Sequence, residues 1–568
     1  MVKSLPTDPN EFIQWTWLDF EPYYRELQNC TLRQGNLHEW LDGWSQLYAR
    51  VDELYNRLMV SVSANTADVE AEERYKSFLD DIYPRAMEAE NELKRKFIES
   101  GLEPAGMEIP LRNMRSEADL FRAENLPLQA MENKVTTEYD KIAGAQSVTW
   151  EGQERTIDQM QPILQDPDRD RREKAWRLVA ERQLADREDI DRVWGQLLDL
   201  RLKIARNAGR KDYRAYRWQD LHRFDYTPDD AIRFQNAIEE VAVPAMLRVY
   251  ARRKERLGLD TLRPWDLDVD SFGSEPLRPF ETVEDLKRGI SKIFHQVDPE
   301  LGAHFDVMIN EGLLDLENRK NKAPGGYCTM FMTARRPFIF MNAVGIHDDV
   351  QTLLHEGGHA FHVFESAAQP YIHQLNAPTE FAEVASMGME LLASPYLAGQ
   401  PDSFYSPDEA ARARIQNLEN SICFWPYMAV VDAFQHWVYE NPEAAADPQQ
   451  CDARWAELWR RFMPGVDWSG FEDVMATGWQ RKLHIHIYPF YYIEYGLAQL
   501  GAVQVWANAL KDQAGAVASY RKALRLGGTA SLPDLFKAAG ARFAFDASTL
   551  REAVSLMEAT VQTLEEKL

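Results

Sequence analysis

The residues His355-Glu356-Gly357-Gly358-His359 constrain this chain more than any others, because two histidines at i and i+4 reach one metal ion only from the same face of a helix. That arrangement leaves Glu356 free for proton transfer. The two central residues oppose it: each glycine costs about 1 kcal/mol relative to alanine inside a helix, so something other than helix stability selects them. Missing side chains there either admit another backbone beside the metal or simply permit close packing.

Charge narrows the function classes. The 568 residues carry 90 Asp and Glu against 64 Lys and Arg, a net charge of -26, which argues against a phosphate-backbone footprint and so against nucleic acid as a partner. A chain of this length holds about two to four domains or one large helical body. Cys30, Cys328, Cys423 and Cys451 are widely separated and form no Cys-x-x-Cys pair, so neither a disulfide framework nor a thiolate metal site is expected. The opening residues run into Asp and Glu without the apolar core of a signal peptide, and no stretch of about 18 apolar residues occurs. A soluble, cytoplasmic protein with no membrane partner is expected.

Leu37, Trp40, Leu41, Trp44, Leu47, Tyr48, Val51, Leu54, Tyr55 and Leu58 recur at three- and four-residue steps, which predicts a long amphipathic helix. Lys/Arg-punctuated helical segments continue to Leu202 and resume from Ala231 to Leu257, after which Arg263-Pro264-Trp265-Asp266 marks a structured loop or boundary. Strand signals concentrate in Tyr327–Phe331 and Phe338–Met341, separated by Thr333-Ala334-Arg335-Arg336, so one small sheet precedes the metal motif. Asp348 or Asp349 caps the following helix. Helices are again expected over Phe381–Leu392, Ala410–Glu440, Cys451–Phe462, Phe490–Leu510 and Leu550–Leu564. The fold class is mainly α, with an amino-terminal helical domain over 1–190 and a catalytic domain over 191–568.

Zinc in a catalytic site takes three protein ligands and keeps a position for water, and a carboxylate on a neighbouring helix is a usual third ligand. Glu380, Glu383 and Glu390 are the candidates. Spacing does not choose among them; Glu383, flanked by apolar and small residues, is the one best suited to point inward, and Glu390 suits a supporting or ion-paired role. An activated water needs a proton acceptor, for which Glu356 is placed, and the oxyanion formed on carbonyl attack needs further donors. The stretch Leu483-His484-Ile485-His486-Ile487-Tyr488-Pro489-Phe490-Tyr491-Tyr492-Ile493-Glu494-Tyr495 is rich in them. With Pro489 in a helix first turn, Tyr491 and Tyr495 share a face, although core packing also explains tyrosines at that spacing. His362, one turn past His359, is expected to pack rather than to ligate.

Thr352-Leu353-Leu354-His355-Glu356-Gly357-Gly358-His359-Ala360 and Glu380-Phe381-Ala382-Glu383-Val384-Ala385-Ser386 resemble the extended zinc motif and third-ligand helix of the thimet oligopeptidase and oligoendopeptidase F family of zinc metallopeptidases, nearest its oligoendopeptidase F and Pz-peptidase branch. The likeness extends through Ala323-Pro324-Gly325-Gly326-Tyr327-Cys328, Phe338–Asn342, Arg263-Pro264-Trp265-Asp266 and Gly527-Gly528, and covers roughly residues 190 to 545. It implies one zinc ion held by His355, His359 and Glu383, with Glu356 as general base. It also implies that His486, Tyr491 and Tyr495 contact the scissile carbonyl. Phe338, Ile339, Phe340, Met341 and Asn342 would align substrate backbone, and Gly326 and Tyr327 would sit near the cleft. The implied fold is a large multi-helical zincin-like body enclosing a deep substrate channel, with residues 1–190 as one wall.

The expected activity is zinc-dependent hydrolysis of internal bonds in short unstructured peptides. A zinc carboxypeptidase on a related fold is the nearer alternative. A non-catalytic peptide-binding protein is the other, and it requires a fourth protein ligand such as His362 to close the metal.

Overall fold

The computed structural model of the chain describes residues 5–273, 275–319, 321–323, 325–399 and 403–568, so Pro324 of the quoted Ala323–Cys328 stretch lies outside the described residues. The elements used below are, in chain order, α1 (Leu37–Ala64), α2 (Tyr83–Glu99), β1 (Ser147–Trp150), β2 (Gln153–Thr156), α3 (Arg187–Asn207), α4 (Pro228–Arg256), α5 (Val283–Val297), β3 (Leu314–Glu317), β4 (Tyr327–Phe331), β5 (Arg336–Ala343), α6 (His347–Ser366), α7 (Thr379–Ala393), α8 (Pro407–Glu440), α9 (Tyr492–Ala509), α10 (Gln513–Leu524) and α11 (Ala547–Glu565). The mainly helical expectation holds. The chain divides into two compact units, one of Met1–Asp119, Arg278–Pro407 and Gly501–Phe543, the other of Leu120–Leu277, Asp408–Leu500 and Ala544–Leu568. Residue 190, where the sequence suggests a boundary, falls inside α3 of the second unit.

In the first unit, the three- and four-residue apolar steps of α1 bury Leu37, Trp40, Leu41, Trp44, Leu47, Val51, Leu54 and Leu58 against Phe20, Leu93 and Phe97. The opposite needs of α1, polar groups that must be satisfied, are met by the small sheet. Buried Glu53 accepts the backbone N–H groups of Thr333 at 2.6 Å and Ala334 at 3.0 Å, which fixes the turn between β4 and β5. Asn56 donates to the Met330 carbonyl at 3.3 Å and accepts from the Thr329 hydroxyl at 2.9 Å. The sheet order is β3-β5-β4, with β5 parallel to β3 and antiparallel to β4.

A short link carries β5 into α6. Asp349 closes it, one carboxylate oxygen accepting from the N–H groups of Val344, Gly345 and Ile346 at 2.8, 2.8 and 2.9 Å. Three otherwise unpaired donors are thereby satisfied, and the direction of α6 relative to the sheet is set. A Cβ on Gly358 would stand 2.4 Å from the Ala385 carbonyl oxygen and 2.5 Å from the Ser386 Cα, both backbone atoms of α7. A Cβ on Gly357 would stand 2.4 Å from the Phe294 ring of α5. The second backbone that the motif glycines admit therefore belongs to the protein itself. Tyr520 of α10 strengthens the same crossing, its hydroxyl donating to the Ala385 carbonyl at 2.7 Å.

The second unit has a tryptophan-rich core. Trp194, Trp425 and Trp479 are fully buried, and each indole N–H has a partner: the Ala445 carbonyl at 2.8 Å, the Gly496 carbonyl at 2.9 Å and the Asp452 carboxylate at 2.7 Å. The sequence anticipates one sheet; the structure adds a two-stranded hairpin, β1 with β2, turning at Glu151 and Gly152, which have φ of 51° and 81°. Glu-Gly between short β-prone runs is the signal for it. The helix expected from Phe490 starts at Tyr492, because Phe490 has a left-handed φ of 64° that no helix accommodates. Among the described residues no helix is long and apolar enough to cross a membrane.

Gly358→Ala must push α7 away, since the obstructing atoms are backbone. Thermal and urea unfolding should show a loss of about 1–3 kcal/mol, with zinc affinity falling alongside, whereas Gly357→Ala, opposed by a ring that can shift, should retain zinc. Unchanged zinc affinity in Gly358→Ala would contradict this account of the crossing.

Candidate active site

The helix crossing has an immediate chemical result. His355 and His359 project from α6, Glu383 from α7, and their ligand atoms lie within 4.8 Å of one another. Glu383 Oε2 stands 3.4 Å from His355 Nε2 and 3.7 Å from His359 Nε2, separations that ligands of one tetrahedral ion with bonds of about 2.0–2.2 Å can adopt with small adjustments. Glu380, which a solvated helix face would have explained, is instead buried, but it is not in this group. Glu390 accepts from His355 Nδ1 at 2.7 Å, so the tautomer is fixed and Nε2 is the nitrogen presented toward Glu383. Ser386, fully buried, lies 2.9 Å from Glu383 Oε2 and restrains that carboxylate from one turn along α7.

The local electrostatics fit a cation. Burial disfavours charge on His355, but the carboxylates of Glu383 and Glu390 outweigh it and hold its pKa well above the ordinary histidine value. His359 is pushed the other way, to about 4, chiefly by burial, and so offers a neutral imidazole. Two imidazoles and one carboxylate, with a second carboxylate behind His355, form a donor set whose chemistry suits a zinc ion. His362 is buried with its ring edge-on to Phe381 at 6.2 Å and is not part of the ligand group.

Glu356 is 8% exposed, and burial pushes its pKa up to about 7, with the Glu383 and Glu390 charges adding to the shift against His355. Cys328 of β4 lies beside this carboxylate, and Oε2 has no hydrogen-bond partner among the described residues. A buried carboxylate oxygen left without a donor beside a ligand group is where a water or substrate group belongs.

The expected substrate strand is placed differently. Phe338, Ile339, Phe340 and Met341 are buried in β5, and β5 is the central strand, with both edges paired to β3 and β4. β4 pairs with it over Arg336–Phe340 and β3 between Ile339 and Ala343, so much of its backbone is already engaged within the sheet. Asn342 turns its amide to the carbonyls of Ala323 at 2.8 Å and Gly325 at 3.0 Å, so it pins the loop before β4. Gly326 packs over Phe340 and Met341 with Thr352 of α6 nearby, and Tyr327 stacks on Phe340 at 4.9 Å. β4 is an edge strand of this sheet, and its Cys328 lies beside Glu356.

In the second unit, His486 is a core residue. It is 0% exposed, its ring stacked on Tyr139 at 4.4 Å and on Trp479 at 5.9 Å, with Nδ1 3.3 Å from the Lys482 carbonyl. Burial drives its pKa down to about 3, so it stays neutral. The histidine among the tyrosines is His484, with ring centroids 5.0 Å from Tyr492 and 5.8 Å from both Tyr491 and Tyr495. Tyr491 and Tyr495 are half-buried with rings 5.1 Å apart, whereas Tyr492 is buried and Tyr488 is 49% exposed. Two histidines two residues apart give the sequence no basis for choosing; only the stacking partners distinguish them.

Comparison with known proteins agrees with this arrangement. The profile of Peptidase family M3 matches residues 163–555. Oligopeptidase PepF of Bacillus subtilis (strain 168) is 25% identical over 309 residues, which span 52% of this chain and only 43% of that relative. Pz peptidase A, solved with an inhibitor, superposes with a TM-score of 0.89 at 27% identity, covering 99% of this chain and 98% of that one. A protein assigned as an oligoendopeptidase F superposes with a TM-score of 0.90 at 26% identity, covering 97% of each chain. Since the family profile spans more than half of the sequence and includes His355, His359 and Glu383, the chain belongs to peptidase family M3.

Proposed function

We propose that this chain is a zinc-dependent endopeptidase that hydrolyses internal bonds of short, unstructured peptides. The observation that carries the proposal is the group His355, His359 and Glu383 with the unpartnered oxygen of buried Glu356 beside it. Bound by those three residues, a zinc ion supplies Lewis acidity toward a water molecule and a carbonyl oxygen.

The remaining chemistry belongs to side chains. Glu356, titrating near neutrality, is suited to accept a proton from water and return it to the departing amine. Glu390 holds His355 by Nδ1, and Ser386 holds Glu383, so neither ligand needs to reorganise. The outer edge of β4 is proposed to pair with peptide backbone in place of the β5 residues. His484, Tyr491 and Tyr495 are proposed as substrate-contacting donors, with His484 in the role that the resemblance first suggested for His486. The ligand group excludes His362, which favours a catalytic centre over a closed structural one.

Glu356→Gln should bind zinc and fold but lose at least about 10²-fold in kcat. A mixed peptide library, with free and blocked termini and with and without chelator, read by mass spectrometry, tests class and mode together. Cleavage that requires a free C-terminal carboxylate would select a carboxypeptidase instead, and capture without products a binding protein.

The same substitution has a second readout. An unperturbed glutamate titrates near 4.5, whereas in the fold, with the protein's own groups alone, Glu356 titrates near 7, so the folded state holds the extra proton. Its contribution to stability is complete below about pH 4.5 and is lost as pH rises through 7. For chelator-treated protein, the stability of Glu356→Gln relative to the parent should therefore increase by about 2–3 kcal/mol between about pH 4.5 and pH 8 in urea unfolding. A difference that stays flat would show that burial does not control this group.

His484→Ala and His486→Ala should separate cleanly. The first should lower kcat by about tenfold or more with little change in melting temperature, and the second should destabilise the protein by about 2 kcal/mol or more, by opening a hole between two stacked rings. Loss of kcat without destabilisation in His486→Ala would restore it as the substrate-contacting residue.

A further inference from the structure

The stretch from His484 to Tyr495 is not regular: a single turn over Leu483–His486 is followed by a loop through Pro489 and Phe490 before α9 begins at Tyr492. Its backbone is held by three arginines from a segment some 270 residues earlier. Arg201 donates to the Ile485 carbonyl at 3.2 Å and, through its other terminal nitrogen, to the His486 carbonyl. Arg217 donates from Nε to the Pro489 carbonyl at 3.3 Å, and Arg223 to the Phe490 carbonyl at 2.6 Å. Gln435 receives the Phe490 N–H, and Phe490 has a left-handed φ of 64°, a conformation that a non-glycine residue keeps only when its surroundings impose it.

We propose that Arg201, Arg217 and Arg223 form a positioning clamp that presents His484, Tyr491 and Tyr495 to substrate. Neutral donors would satisfy four loop carbonyls equally well. The structure instead uses three guanidinium groups, Arg201 and Arg223 being 0% and 5% exposed, and each carries a carboxylate partner: Glu132 at 2.8 Å for Arg201, Asp220 for Arg217, Glu494 at 2.6 Å for Arg223. Burying the Arg223–Glu494 pair and the Arg201 guanidinium is unfavourable unless geometry is closely held, and the planar, multidentate guanidinium is the side chain that holds it. Arg223 also ties the loop to α9 itself, because the same terminal nitrogen reaches Phe490 and Glu494. The clamp therefore fixes both ends of the segment that carries Tyr491, while stacking of His486 on Tyr139 and Trp479 anchors the turn after His484.

The inference rests on the proposal that His484 and the two tyrosines contact substrate, and the test separates the two. Arg217 is the least buried of the three, with its side chain 20% exposed, so Arg217→Met should fold; Arg201→Lys, which keeps charge but loses the fork, serves as the second variant. Both should reduce kcat by about tenfold or more with KM within about twofold and zinc affinity unchanged, as expected for displaced rather than deleted groups. Hydrogen exchange followed by mass spectrometry should accelerate in peptides spanning 484–492 and remain at parental rates elsewhere. Tyr491→Phe is the reference. If it lowers kcat while both arginine variants keep parental kcat, the clamp is overturned and the substrate-contact reading stands. If Tyr491→Phe, His484→Ala and the arginine variants all keep parental kcat, the substrate-contact reading fails and the clamp fails with it. Exchange that rises throughout the second unit, with melting temperature and kcat falling together, would reduce the arginines to ordinary scaffolding and also overturn the proposal.

Discussion

The grouping of His355, His359 and Glu383 depends on one close approach, that of Gly358 on α6 to the Ala385 carbonyl on α7. Helices normally pack with axes about 8–10 Å apart, and the side chains between them set that spacing. Removing the Cβ at the crossing point lets α7 approach until Glu383 is within 4 Å of both imidazoles. The cost of glycine within a helix is thus offset by a three-ligand group that a larger residue would pull apart. Phe294 against Gly357, and Tyr520 on the Ala385 carbonyl, hold the crossing from two further helices. Asp349 fixes the start of α6 against the sheet.

Charge is arranged around that crossing with equal economy. Glu383 and Glu390 flank His355, and Glu356 stands on the same helix, so three carboxylates share a buried region with one histidine that is readily protonated. Such a cluster is unfavourable without a cation and favourable with one, which links ion affinity to the stability of the α6–α7 pair. The upward shift on Glu356 comes first from burial, with the neighbouring carboxylates adding to it. The desolvation that disfavours its charge brings its proton affinity into the range useful for accepting a proton at neutral pH.

Much of this was legible in the sequence for physical reasons. The apolar steps of α1 and the β-prone runs of β4 and β5 record which faces are buried, and His355, Glu356 and His359 record a spacing that only a helix makes useful. Glu383 was legible because apolar and small neighbours leave a carboxylate on that helix facing inward. What was not legible is what depends on partners far away in the chain. The sequence leaves open whether the glycines admit another backbone or simply pack closely, because it does not reveal that Ala385 fills the space at Gly358. Strand propensity in Phe338 to Asn342 does not report sheet order, because a central strand reads much like an edge one when both are apolar.

His484 and His486 show the same limit at its sharpest. Both precede the tyrosines, both lie in one short turn, and no propensity separates residues two apart in such a segment. Their different fates are decided by Tyr139 and Trp479, which take His486 into the core, and by the arginines that bend the chain after it so that His484 lies among the tyrosines instead. A loop whose conformation is imposed from a segment some 270 residues away carries no local record of its shape. Its function must then be inferred from the groups that hold it, and here all three are charged and paired with a carboxylate, and Arg201 and Arg223 are buried.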